Sequence, residues 1–137
     1  MTSPEALLKE QGFYAAAVHG VSMEPLLCNH RDTVFIEPFD TLKKRDVVLY
    51  RRDSGQLVLH RLLSQSGDTC IVCGDNDFVR ETIRVSQILG VMTAFTRKGR
   101  TVRVTSKRYR LYSRLWNASM PTKRALHRIR RIGRRFR

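Results

Sequence analysis

The sequence predicts a mainly β (α+β) body, residues 1–105, followed by a basic amphipathic helical tail, residues 106–137. Three observations carry that prediction. Short runs rich in β-branched and aromatic residues recur roughly every 8–12 residues with turn residues between them, the pattern of an antiparallel β domain. After Ser106 the apolar residues switch to three- and four-residue spacing, the period of a helix. Charge divides nearby. Of the 26 Lys and Arg, 10 precede residue 97 together with all 12 Asp and Glu, which leaves 16 cations and no acidic side chain from Arg97 onward.

The elements follow in order. Residues 3–10 (Ser-Pro-Glu-Ala-Leu-Leu-Lys-Glu) predict a short helix, with Ser3 as N-cap and Pro4 in the first turn, where its missing N–H is no loss. Phe13 to Val18 is an apolar strand leading into a turn at Gly20. Thr33 to Ile36 is a β-rich run stopped by Pro38. Asp46 to Arg51 and Gln56 to Leu63 pair as a hairpin across Asp53-Ser54-Gly55, and Ser66-Gly67-Asp68 turns the chain into Thr69 to Cys73. Ile88 to Phe95 and Thr101 to Thr105 close the series, joined by Lys98-Gly99-Arg100. In the tail, Tyr109, Tyr112, Leu115, Trp116 and Met120 form one amphipathic segment, able to dock back on the body. Leu126, Ile129, Ile132 and Phe136 form a second beyond Pro121.

With 137 residues and 42% apolar content, the chain can bury one modest core. The three cysteines, Cys28, Cys70 and Cys73, cannot all pair within one chain and define no disulfide framework. Cys70 and Cys73 have a metal-ligand spacing, but on a strand they point to opposite faces and no second such pair follows. They read as structural thiols suited to a reducing compartment, and no metal or other cofactor is expected. No apolar run reaches the roughly 18 residues of a membrane span, Gly12 to Val21 being too short, and no signal-peptide pattern is present. The expected location is cytoplasmic or peripheral to a membrane.

Three segments carry candidate chemistry, in a fixed order. The first is Gly20-Val21-Ser22-Met23-Glu24-Pro25-Leu26-Leu27. The second is Leu57-Val58-Leu59-His60-Arg61-Leu62, on a strand, and the third is the turn Cys73-Gly74-Asp75-Asn76-Asp77. A serine hydroxyl is a poor nucleophile until a neighbouring base accepts its proton, and its intermediate needs N–H donors. Gly20 permits a tight backbone before the serine, and Pro25 fixes the chain after it. An imidazole, with an ordinary pKa of about 6.5, can serve as that base at neutral pH. Each feature alone has a plainer reading, a serine in a turn or a histidine packed on a strand. His19, His30 and His127 lack a comparable setting and take that reading.

The ordered triple resembles the S24/S26 serine peptidases, which include the type I signal peptidases and the LexA-type autoproteases. The resemblance covers roughly residues 13–95. It implies a signal peptidase/LexA-like β-structure with Ser22 as nucleophile. His60 stands as base where most such proteins place a lysine, as in the endoplasmic-reticulum and sporulation-type enzymes. The oxyanion hole falls to the Ser22 N–H and to the position of Gly20, which offers backbone only. Asp75 is implied to pair with Arg61 as structural support. Histidine-using relatives carry Asp-Asp six and seven residues after the turn glycine, where this chain has Arg80 and Glu81. Glu81 is the implied third catalytic residue, orienting His60; Arg80 is a competing partner for it, and Asp77 is the other carboxylate nearby. Asn29 to Ile36 and Lys43 to Tyr50 resemble two body strands that contribute no chemistry, with Arg45 replacing a usual glycine. Met23 fits the groove floor or the core equally.

The function implied is a serine endopeptidase that takes an extended peptide or protein substrate by strand addition. The alternative is a catalytically inactive peptidase-like module that binds peptide or membrane, motivated by the irregular Arg80-Glu81 pair and the missing membrane helix. A self-cleaving regulator is disfavoured, because Ala16-Ala17-Val18 lies too close to Ser22 to be a mobile cleavage loop. The cationic residues 106–137 fit an anionic membrane surface, with Trp116, Leu126, Ile129 and Phe136 on the apolar side. Nucleic acid is the weaker partner, since no helix-turn-helix or RNA-binding motif is present.

Overall fold

The β-rich runs pair with one another as antiparallel neighbours. The computed structural model describes residues 3–18, 20, 22–24, 26–28, 31–77 and 79–118. The amphipathic segment expected beyond Pro121 lies outside the described residues, as do Pro25, His19, His30, His127 and the Trp116 side chain. In chain order the elements are α1 (Pro4–Gln11), β1 (Tyr14–Ala17), β2 (Thr33–Glu37), β3 (Val47–Arg51), β4 (Leu57–Ser66), β5 (Thr69–Cys73), β6 (Glu81–Arg84), β7 (Ile88–Arg97), β8 (Arg100–Arg103) and α2 (Lys107–Ala118). The strands run in the order β1-β2-β7-β3-β4-β5-β6, and β8 pairs with β7. The fold is mainly β, as the strand spacing predicts.

Strand β7 is the hub of the sheet. One edge meets β2 (Val34 opposite Phe95, Glu37 opposite Val91). Its other edge is shared, β3 taking the first half (Tyr50 opposite Ile88) and β8 the second (Ala94 opposite Arg103). The register shifts in β2 at Phe35/Ile36, in β3 at Leu49/Tyr50 and in β4 between Leu62 and Ser64. Such irregularities add local twist, which curls the sheet. One apolar cluster gathers Leu8, Met23, Leu27, Val34, Ile36, Phe95 and Tyr109; the other gathers Val48, Tyr50, Leu62, Cys70, Val72 and Ile83. Cys70 and Cys73 are buried, and neither is in a disulfide among the described residues.

Helix α1 begins where its cap is expected, the Ser3 hydroxyl accepting from the Ala6 N–H at 3.2 Å. Some details differ from the sequence reading. Strand β4 runs on to Ser66, β8 spans Arg100–Arg103 and so ends before Thr105, and β6 was not expected at all. Only Ile83 of β6 is buried, so the strand carries almost no apolar signature. Among the described residues, no helix is long and apolar enough to cross a membrane.

The first amphipathic segment of the tail packs against the sheet as α2. Tyr109 is buried in the first cluster, with its ring 5.8 Å from that of Phe95. Beneath the helix lies a fully buried ion pair. The Arg61 Nε donates to Asp75 Oδ1 at 2.7 Å and its Nη2 donates to Oδ2 at 2.8 Å, a two-pronged geometry that guanidinium suits. Arg61 Nη1 also donates to the Tyr109 hydroxyl (3.0 Å) and to the Arg45 carbonyl (2.9 Å), and the Tyr112 hydroxyl donates to Asp75 Oδ2 (2.8 Å). Arg45 takes a left-handed φ of 77°, a conformation that favours glycine. Burial works against the Arg61 charge, but Asp75 beside it more than offsets this and raises its pKa. Asp75→Ala leaves that guanidinium buried without a counter-charge. Urea denaturation is expected to show a loss of about 3–5 kcal/mol; a loss below about 1 kcal/mol contradicts this account of the pair.

Candidate active site

The segment between β1 and β2 carries Ser22, and packing holds it in place. Gly20 adopts φ 85°, which L side chains rarely adopt. Beyond Ser22 the chain turns, Leu27 N–H donating to the Met23 carbonyl at 2.9 Å, and Met23, Leu26 and Leu27 bury their side chains as anchors. The base of the loop closes through Asp32, itself buried. Its backbone carbonyl accepts from Val18 N–H at 2.9 Å and its carboxylate accepts from Cys28 N–H at 2.8 Å.

The turn at residues 74–77 presses against this loop. Asn76 N–H donates to the Ser22 carbonyl at 2.7 Å, and Asp75 N–H donates to the Met23 sulfur at 3.4 Å. Gly74 has no room for a side chain. A Cβ there would lie 2.5 Å from the Ser22 carbonyl oxygen, 2.7 Å from Asp77 Oδ2 and 3.1 Å from Ser22 Cβ. The Gly-Asp-Asn sequence therefore has two jobs, a close approach at Gly74 and a buried charge at Asp75.

His60 lies on β4 opposite Val48, with its side chain only 9% exposed. A carboxylate is associated with each ring nitrogen. Nε2 lies 3.9 Å from Asp77 Oδ2. Nδ1 lies 3.2 Å from the Tyr50 hydroxyl, which donates to Glu81 Oε1 at 2.8 Å. Arg52 grips Glu81 in turn, through Nη2 to Oε1 (2.8 Å) and Nε to Oε2 (3.1 Å). Burial pushes the His60 pKa below its ordinary value, outweighing the opposite pull of Asp77 and Glu81. The hydrogen bond from Arg52 holds the Glu81 carboxyl below the usual range. Burial, reinforced by Glu81, raises Tyr50.

Ser22 and His60 open onto the same cleft, a space of about 480 Å³ also lined by Gly20, Met23, Leu57 and Asp77. The Ser22 hydroxyl makes no hydrogen bond among the described residues, so serine and imidazole share the cleft without being bonded to each other. Bonds of this kind are often long without substrate and tighten when it binds. Arg61 and Asp75 meet directly. Glu81 reaches His60 only through Tyr50, and its cation is Arg52, not the adjacent Arg80. Sequence reasoning missed Tyr50, on a strand expected to contribute no chemistry. The hairpin register held the signal: Val48 pairs with His60 and Tyr50 with Val58, so tyrosine and histidine are diagonal neighbours. No cluster of three or more His, Cys, Asp or Glu side chains is arranged to hold a metal ion among the described residues.

Gly74→Ala forces either the Ser22 loop or the Asp77 side chain to move. Because the closest obstacle is backbone, a destabilisation of about 1–3 kcal/mol in chemical denaturation is expected. A neutral result contradicts the close packing of turn and loop.

Comparison with curated proteins gives no match. Comparison with protein families does: residues 1–93 match the family described as Peptidase S24-like. That match spans most of the β body together with the Ser22 loop, His60 and the Gly-Asp-Asn turn, and the chain belongs to the Peptidase S24-like family.

Proposed function

We propose that this protein is a serine endopeptidase that cleaves an extended peptide through a Ser22–His60 dyad. The observation that carries the reading is that Ser22 and a buried His60 line one cleft, in a chain of a peptidase family. His60 Nε2 takes the Ser22 Oγ proton as Oγ forms its bond to the scissile carbonyl carbon. The imidazolium then returns the proton to the leaving amine as the C–N bond breaks, leaving an acyl group on Ser22. Water attacks that ester with the same imidazole as base and frees Ser22. The backbone N–H of Ser22 and the chain at Gly20 are the groups available to the oxyanion.

Strand pairing supports an extended substrate. Residues 57–60 of β4 pair with β3 on one edge, whereas pairing with β5 begins only at Arg61. Strand β1 ends the strand order and, among the described residues, pairs only with β2. Residues of both free edges, Ala16 and Ala17 on β1 and Leu57 to His60 on β4, line the cleft. A peptide lying there can add its own backbone hydrogen bonds to either edge, with side chains alternating into apolar walls.

A second reading, a peptide-binding module without turnover, draws on the Ser22 hydroxyl, which is not hydrogen-bonded to His60. The two are separated by assaying a library of peptides with small residues at the cleaved position. Ser22→Ala and His60→Ala are each expected to lower kcat/KM by about 10³-fold or more, and unchanged turnover in either variant removes the dyad. The pH profile provides a further check. A base whose pKa is depressed by burial is unprotonated at neutral pH and is lost only as pH falls. The acidic limb of kcat/KM should therefore have its midpoint below about 6.5; a midpoint above that value contradicts His60 as a buried base.

A further inference from the structure

We propose that Tyr50 is a positioning residue that sets the tautomer of His60, holding the proton on Nδ1 and leaving the Nε2 lone pair free on the cleft side. The inference deepens the Ser22–His60 reading and starts from proton counting. A tyrosine hydroxyl has one proton to give. Glu81, kept ionised by its two hydrogen bonds from Arg52, can only accept, and its Oε1 lies 2.8 Å from that hydroxyl. The Tyr50 proton is therefore committed to Glu81. The same oxygen lies 3.2 Å from His60 Nδ1. With its only proton already directed elsewhere, the hydroxyl can complete that contact only as acceptor, so neutral His60 carries its hydrogen on Nδ1.

The arrangement has consequences at the other nitrogen. Nε2 is left without a proton, ready to take the one from Ser22 and become an imidazolium. The positive charge then forms beside Asp77, 3.9 Å away, while Nδ1–H stays bonded to a hydroxyl polarised by Glu81. No proton moves along the Tyr50–Glu81 link in this scheme. Tyr50 is fully buried and its pKa is raised, so it stays a phenol while His60 works. The other charged groups acting on His60 are Arg52, which opposes the imidazolium, and Asp75, which favours it.

The test reads the tautomer directly. In ¹⁵N NMR of the imidazole-labelled full chain above the His60 titration, wild type is expected to show Nδ1 protonated and Nε2 unprotonated. Tyr50→Phe removes the acceptor and should move the ring toward the Nε2–H form. Glu81→Ala is the second variant. It removes the acceptor of the phenol proton, which frees that proton for Nδ1 and gives the same switch with the tyrosine retained. Both variants should lower kcat by about 10²-fold or more at the pH plateau with a smaller change in KM. Wild-type His60 protonated on Nε2, or a tautomer unchanged in a folded Glu81→Ala, overturns the inference. This outcome is distinct from failure of the peptidase reading, in which the NMR result holds and no peptide is turned over.

Discussion

The buried pair of Arg61 and Asp75 is the constraint on which the rest of the structure depends. Arg61 follows His60 on β4, and Asp75 follows Gly74 in the turn that packs on the Ser22 loop. Joining them ties the strand that carries the imidazole to the loop that carries the hydroxyl. The same two side chains reach the Arg45 carbonyl, Tyr109 and Tyr112, so helix α2 is fastened at the same point. Removing two charges from water is costly, and their attraction in a protein interior recovers that cost only when the remaining donors and acceptors are also satisfied. Here no buried side-chain nitrogen or oxygen lacks a partner among the described residues. The pair is better understood as a device for geometry than as a source of net stability. An apolar replacement of equal volume would hold the core but would not register strand against turn.

Around this pivot the candidate site divides its polar groups by burial. His60, Tyr50 and Asp75 lie inside, whereas the Asp77 side chain is 40% exposed at the cleft. A buried imidazole resists protonation, and the flanking carboxylates favour it only when a charge must form. That combination leaves the imidazole unprotonated at neutral pH, yet able to accept a proton. A lysine at this position would need much stronger desolvation to reach the same state. In the proposed dyad, a histidine with a tyrosine-linked carboxylate takes the place of a strongly desolvated lysine.

Much of the fold was legible in the sequence because its signals are local. Ser3 and Pro4 mark a helix start, Asp53-Ser54-Gly55 marks a hairpin, and the β-branched runs mark strand interiors. The Peptidase S24-like resemblance was legible too, since its three segments are short and ordered. Strand β6 was not, because Glu81-Thr82-Ile83-Arg84 buries one apolar residue and so offers no alternation to read. The role of Tyr50 was hidden for another reason. Its contact with Glu81 spans 31 residues and depends on β5 lying between β4 and β6, a matter of topology that no local pattern carries. The docking of Tyr109 and Tyr112, 48 and 37 residues from their partners, was hidden in the same way. Periodicity shows that α2 has an apolar face, but not that two phenols on it close over an ion pair.

The most direct measurement is covalent trapping. The full chain is treated with a peptidyl fluorophosphonate carrying a small residue next to the electrophile, and the labelled site is mapped by mass spectrometry. The account predicts a single adduct on Ser22 that forms at neutral pH and is suppressed by competing peptide. No adduct, or an adduct on another side chain while Ser22 stays unmodified, would contradict it.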